Sequence, residues 1–199
     1  MEDFPPAAVG LVEDLVVNLP SRLGDVHPPF AEFGVLQVVV HFIRHNLPAR
    51  EPLSLWGEGK ARMPEWFEKL FPARYTARNP FTSNLPKNFA LQPLPETPDG
   101  VLVSAPERAL LEMLSEVGVH RGIEEARNIM EGARSLRPEV LTTLLKNCQR
   151  VKVLRLGVLW AEELNLPWAA AARKAAGRNL GQSRWTARLK DGTTLILKP

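Results

Sequence analysis

An α+β fold is predicted for this chain: a helical C-terminal domain closed by a β-hairpin, preceded by a small strand-containing part. Three observations predict it. Between Pro106 and Gly177, apolar residues return at helical spacing in five successive segments separated by glycine, proline and polar breaks. The run Lys190-Asp191-Gly192-Thr193 is a two-residue turn between two strand-like segments, 184–189 and 194–198. Upstream, Pro52 to Gly57, Ala73 to Ala77 and Val101 to Val103 are short runs of strand composition.

Residues 1 to 30 are rich in proline and acid, with a short helix expected from Val9 to Asn18. Ala31 to Ile43 is apolar, with β-branched residues concentrated at Val38 to Val40; strand and buried helix both fit, and helix is preferred. His41 and His45 are four apart, which on a helix places both imidazoles on one face. No third ligand lies near them in sequence, so polar surface or hydrogen-bonded histidines are expected rather than a zinc site. Pro64 opens a short helix to Leu70 that buries Trp66, Phe67 and Leu70. Pro80, Pro86, Pro93, Pro95 and Pro98 make residues 79 to 100 a long irregular connection, ended by a Pro-Asp-Gly turn.

Val101 to Gly118 reads as a short strand running into a capped helix. Ser104 is placed to accept from the Glu107 amide while Glu107 reaches back to Ser104, with Pro106 in the first turn. Leu110, Met113, Leu114 and Val117 form the face to be buried, and Arg108, Glu112 and Glu116 fall on the other side. A second helix, Gly122 to Gly132, buries Ile123, Ala126, Ile129 and Met130. The third starts at Pro138, with Leu136 able to staple onto Leu141 and with Leu144, Leu145 and Cys148 on its inner face. Val151 to Leu164 is apolar on more than one side, which predicts central burial, and Pro167-Trp168 opens an alanine-rich fifth helix. Pairing across a two-residue turn sets Trp185, Ala187 and Leu189 opposite Lys198, Ile196 and Thr194. The other face then opposes Thr186 and Arg188 to Leu197 and Leu195, so both faces of the ribbon are mixed.

The balance of 45% apolar and 24% charged residues is that of a globular chain. The formal net charge of +3 is unevenly spread. Residues 1 to 47 hold six acids against two bases, whereas residues 148 to 199 hold ten Lys or Arg against three acids. That asymmetry points to a polyanion such as nucleic acid. The candidate contact residues are Arg150, Lys152 and Arg155 at the start of the fourth helix, and Arg184 and Arg188 on the ribbon. Cations at a helix start oppose its dipole, so they either face an anion or stay solvated. A basic ribbon is suited to phosphate-backbone contact.

Catalytic chemistry has no support in the residues. There is no phosphate-binding glycine loop, no His-Glu-x-x-His, no Cys-x-x-Cys and no Gly-x-Ser-x-Gly. Neighbouring carboxylates such as Glu124-Glu125 and Glu162-Glu163 diverge by ~100° on a helix and form no paired site. No enzyme, cofactor, metal or small-molecule substrate is expected. The lone Cys148 allows no internal disulfide and reads as a core residue, and acidic Glu2 and Asp3 stand where a secretory leader is basic, so a reducing cytoplasm is expected. The longest apolar run, Val35 to Ile43, is broken by Gln37 and His41 and is far short of the ~20 residues that span a bilayer.

The run Val101-Leu-Val-Ser-Ala-Pro-Glu-Arg-Ala-Leu-Leu-Glu112 resembles the SxPERAxLE signature of the AbiEi antitoxin family, transcriptional regulators of bacterial type IV toxin–antitoxin and abortive-infection systems. Glu125 to Gly132, Leu136-Arg137-Pro138, Leu144-Leu145 and Val151 to Leu156 are similar to the family in order and spacing. So are Arg44 to Leu47, Arg50 to Leu53, Met63 to Phe67, Arg184-Trp185 and the turn at 190–193, and the likeness covers residues 44 to 199. The resemblance implies an antitoxin that counters a nucleotidyltransferase-like toxin and represses its own operon, with operator DNA as a partner. It also implies an N-terminal winged helix-turn-helix of roughly ninety residues. Only the 43 acidic, proline-rich residues before Arg44 stand in that place, so a missing or altered winged helix is expected. The domains expected are an unplaced segment 1–43, a mixed strand and helix subdomain 44–100 with the Pro-rich loop, and a helical antitoxin-like domain 101–199. The rival expectation is a protein-interaction module without DNA binding, docking through the loop at 79–100.

Overall fold

The computed structural model describes residues 37–39, 53–56, 73–93, 102–188, 192 and 194–198, the side chains of residues 37–39, Leu53 and Arg188 excepted. The helices expected at 9–18 and 64–70, His41, His45 and the turn at 98–100 lie outside the described residues. The chain divides into two compact units.

The first unit is a mixed sheet. Its strands are β1 (Gln37–Val39), β2 (Leu53–Trp56), β3 (Ala73–Thr76), β4 (Leu91–Pro93) and β5 (Leu102–Ser104), in the order β3-β2-β1-β5-β4. The central β1 runs antiparallel to β2 and parallel to β5. The preference for helix over 31–43 is thereby corrected at 37–39, where Val38 and Val39 are stiff at χ1 and suit a strand paired on both sides. Strand β4 interrupts the connection read as irregular. Its Pro93 lies on an edge strand, the part of a sheet that tolerates a missing N–H. Leu55, Trp56 and Val103 are buried.

The second unit is helical. It contains α1 (Pro106–Glu116), α2 (Ile123–Glu131), α3 (Pro138–Lys146), α4 (Val151–Glu163) and α5 (Ala169–Ala176), with 3-10 turns at Ala133–Ser135 and Gly177–Leu180. Strands β6 (Trp185–Arg188) and β7 (Thr194–Leu197) form the terminal hairpin. Helix α4 is the centre, buried without a break from Val153 to Val158. Leu111 and Leu114 of α1 approach it at Gly157, where an added Cβ would lie 3.6 Å from Leu114 Cδ1. Leu141, Leu144 and Leu145 of α3 and Ala172 and Ala176 of α5 complete the same core. The indole of Trp168, buried ahead of α5, donates to the Ala133 carbonyl at 2.6 Å. Cys148 sits in this core, and burial pushes its thiol up to about 11.

Two readings of local structure need correction. Helix α1 starts one residue later than the capping box requires: Ala105 is the N-cap and no side chain caps it. Pro106 therefore takes the first helical position, Ser104 stays in β5, and Glu107 falls at the second helical position instead of the third, its carboxylate turned to Arg137.

The second correction is the hairpin register. Trp185 faces Leu197, Thr186 faces Ile196, Ala187 faces Leu195 and Arg188 faces Thr194, one residue out of step with a two-residue turn. A slip of one exchanges the faces of a strand relative to its partner. The observed pairing gathers Trp185, Ala187, Leu195 and Leu197 on the packed face and leaves Thr186, Thr194 and Ile196 exposed. The ribbon is thus amphipathic, because burying one apolar face outweighs the tighter turn.

Residues 80–90, from the Pro-rich stretch, belong to the helical unit. Phe81 and Leu85 enter its core, and Thr82 N donates to Asn147 O at 2.8 Å while Gln149 N donates to Pro80 O at 3.0 Å. The part of the loop expected to be free for docking is instead sewn to the connection between α3 and α4.

Candidate nucleic-acid interface

The polar residues of α1 decide what is left for the surface. Arg108, Glu112 and Glu116, expected on the solvent side, are all buried. Arg108 Nε donates to Glu112 Oε1 at 2.9 Å, its Nη1 donates to the Phe89 carbonyl at 2.8 Å, and the guanidinium lies 5.1 Å from the centre of the Phe81 ring. One side chain thereby ties α1 to residues 80–90. Its spacing to Glu112 is i,i+4, which places the two side chains on one face of the helix.

Glu107 is 2% exposed and bridges to the start of α3. Its carboxylate accepts from the Arg137 backbone N at 2.9 Å and from the Arg137 guanidinium at 3.0 Å through both oxygens. Arg137 is the N-cap of α3, so an anion sits where that helix has unsatisfied N–H groups. Burial pushes the carboxyl up, but the side-chain and backbone bonds from Arg137 outweigh it and hold the group below its ordinary value.

Two of the five candidate contact residues lie elsewhere than the surface expected for them. Lys152 turns away from its own helix start and donates to Ser115 O at 2.6 Å and Val117 O at 3.0 Å, at the C-terminal end of α1. The unfavourable end of the α4 dipole is thus exchanged for the favourable end of another helix. Burial lowers the Lys152 ammonium below its usual range, helped by the Arg150 charge and opposed by Glu116. Arg155 is 1% exposed. Its Nε donates to Leu180 O at 2.7 Å, Nη1 to Leu197 O at 2.7 Å and Nη2 to Ser183 O at 2.6 Å. The one hint of this in the sequence is that Arg155 lies between Leu154 and Leu156 in a helix apolar on more than one side.

Arg150 and Arg184 are exposed, while the Arg188 side chain lies outside the described residues. Lys146, Arg178 and Lys198 are exposed as well. Their segments are linked: Asn179 Nδ2 donates to Lys146 O at 3.5 Å, and Arg155 binds the carbonyls that precede Arg184 and Lys198. None of these five cations forms an ion pair among the described residues, whereas Arg127 pairs with Glu163, Arg173 with Glu162 and Arg121 with Glu125. Lys146, Arg178 and Lys198 were overlooked because they follow no spacing in sequence. Among the described residues no group of three His, Cys, Asp or Glu is placed to hold a metal ion, and no helix is long and apolar enough to cross a membrane.

Residues 50–194 match a family model of transcriptional regulators. The family is that of the AbiEi antitoxins of type IV toxin–antitoxin systems, and the chain belongs to it. No curated protein and no solved structure matches the chain. The matched range runs through α1 to α5 and β6 and ends at the first residue of β7, and within it Glu107, Arg108 and Glu112 join α1 to α3 and to residues 80–90.

Proposed function

We propose that this chain is an antitoxin and autoregulator that neutralises a nucleotidyltransferase-like toxin without catalysis of its own and acts in the cytoplasm. The family match, which spans all five helices, carries the reading. A nucleic-acid contact through Arg150 and Arg184, with Arg188 on the same ribbon, is supported by the exposure of the first two and by the absence of ion-pair partners for them among the described residues. Phosphate contact is a matter of charge and position, not of base reading, so such a surface binds duplex DNA with strong salt dependence. Lys152 and Arg155 are not among the contact residues of this reading, since both point inward and donate to main-chain carbonyls.

Co-expression tests the antitoxin part. Growth of cells poisoned by a nucleotidyltransferase-like toxin encoded beside this gene is expected to be restored by the full chain, and absence of such a gene or of rescue overturns the proposal. A gel-shift titration against the DNA upstream of the gene tests the regulatory part. Retarded complexes that weaken as salt rises support it, and no complex at micromolar protein in dilute buffer removes it. The rival reading, docking through the Pro-rich loop, is disfavoured because Phe81 and Leu85 of that loop are core residues.

A further inference from the structure

Arg155 does more than fill the core. The carbonyls it binds join two stretches of chain: Leu180 at the end of the 3-10 turn and Ser183 at the entry to β6 on one, and Leu197 at the end of β7 on the other. The last two flank the open end of the hairpin, where Trp185 pairs with Leu197. Arg184 follows Ser183 directly, Lys198 follows Leu197 directly, and Arg178 is two residues before Leu180. All three are exposed.

We propose that Arg155 is a positioning residue for the basic surface, holding the segments that bear Arg178, Arg184 and Lys198 as one array that meets a phosphate backbone. The inference rests on the nucleic-acid reading above. A planar guanidinium offers five donors in a fixed fork and can serve three carbonyls at once; an ammonium on a flexible stem cannot reproduce that geometry. Gly181 shows how closely the site is drawn. Its φ is +70°, and a Cβ there would lie 3.3 Å from Arg155 Nη2. Without the fork, the hairpin keeps its own ladder but loses its fixed seat on α4, and its cations spread over many arrangements.

The test is equilibrium binding of the full chain to a fluorescein-labelled duplex of the DNA upstream of the gene, measured over a range of KCl concentrations. R155K keeps the net charge. It is expected to weaken binding about tenfold or more and to reduce the slope of log K against log salt by about two, the share of two displaced phosphate contacts. Removing Arg184 and Lys198 together costs about as much in the wild-type background and little more in R155K, because the array is already broken. A purely structural arginine predicts a lower melting temperature with both the slope and the cost of the double variant unchanged. That outcome overturns the proposal. Should R155K fail to fold by circular dichroism, G181A disturbs the same seat through its Cβ and carries the same expectations. A wild-type chain that binds no duplex sinks the nucleic-acid reading and this inference together. A wild-type chain that binds while R155K and G181A behave identically to it sinks this inference alone.

Discussion

Glu107 shows how much a single carboxylate contributes here. Its three bonds to Arg137 form only in the folded chain, and they keep its ionised form favoured against the cost of burial. A carboxyl whose folded value lies below its unfolded one, about 4.3, stabilises fully above that pH and loses the contribution as pH falls through the folded value. Glu107→Gln is therefore expected to cost about 1.5–3 kcal/mol at neutral pH, the range for hydrogen bonds to a charged group, and progressively less in acid. Urea titrations near pH 7 and near pH 3 measure the difference, and an equal loss at both would show that the charge is immaterial. Cys148 gives a second expectation at this scale. With its thiol buried and raised to about 11, it should react with a disulfide reagent at pH 8 only as fast as the helical unit opens, and urea should accelerate the reaction steeply.

Among the elements, the hairpin carries the sharpest test because its register distinguishes neighbouring residues. Leu197 is 4% exposed and faces the core, while Ile196 beside it is 49% exposed. Leu197→Ala should cost about 2–5 kcal/mol, and Ile196→Thr should stay within about 0.5 kcal/mol of wild type. Thermal unfolding of both variants decides it, and a reversed order would restore the two-residue turn. The positions and types of α1 to α5 were legible in the sequence because period-3.6 patterns with proline and glycine punctuation are local signals. The register was not, since turn chemistry and face burial disagreed by one residue and only packing on α4 arbitrates. β1 was missed for a related reason: Val38 and Val39 fit helix or strand until β2 and β5 pair with them.

At the scale of the whole molecule, the uneven charge is the property with functional weight. Arg150 and Arg184 are exposed and unpaired among the described residues, so Arg150→Glu with Arg184→Glu should leave the melting temperature nearly unchanged while abolishing DNA retention in dilute salt. A gel shift alongside a thermal melt reads both quantities, and intact retention would remove these residues from the interface. By itself the sequence determined the α+β class, the five helices, the family and the basic bias of the C-terminal third, because composition, periodicity and motif order need no third dimension. Tertiary structure alone decided which charges are free. Arg108, Glu112, Lys152 and Arg155 look like surface residues when counted along the chain. They turn inward, Arg108, Glu112 and Arg155 fully buried and Lys152 partly so, because Arg108, Lys152 and Arg155 each meet a carbonyl from a distant segment and Glu112 accepts from Arg108. A buried charge needs a partner to offset its desolvation, and which partner arrives is set by how the helices pack.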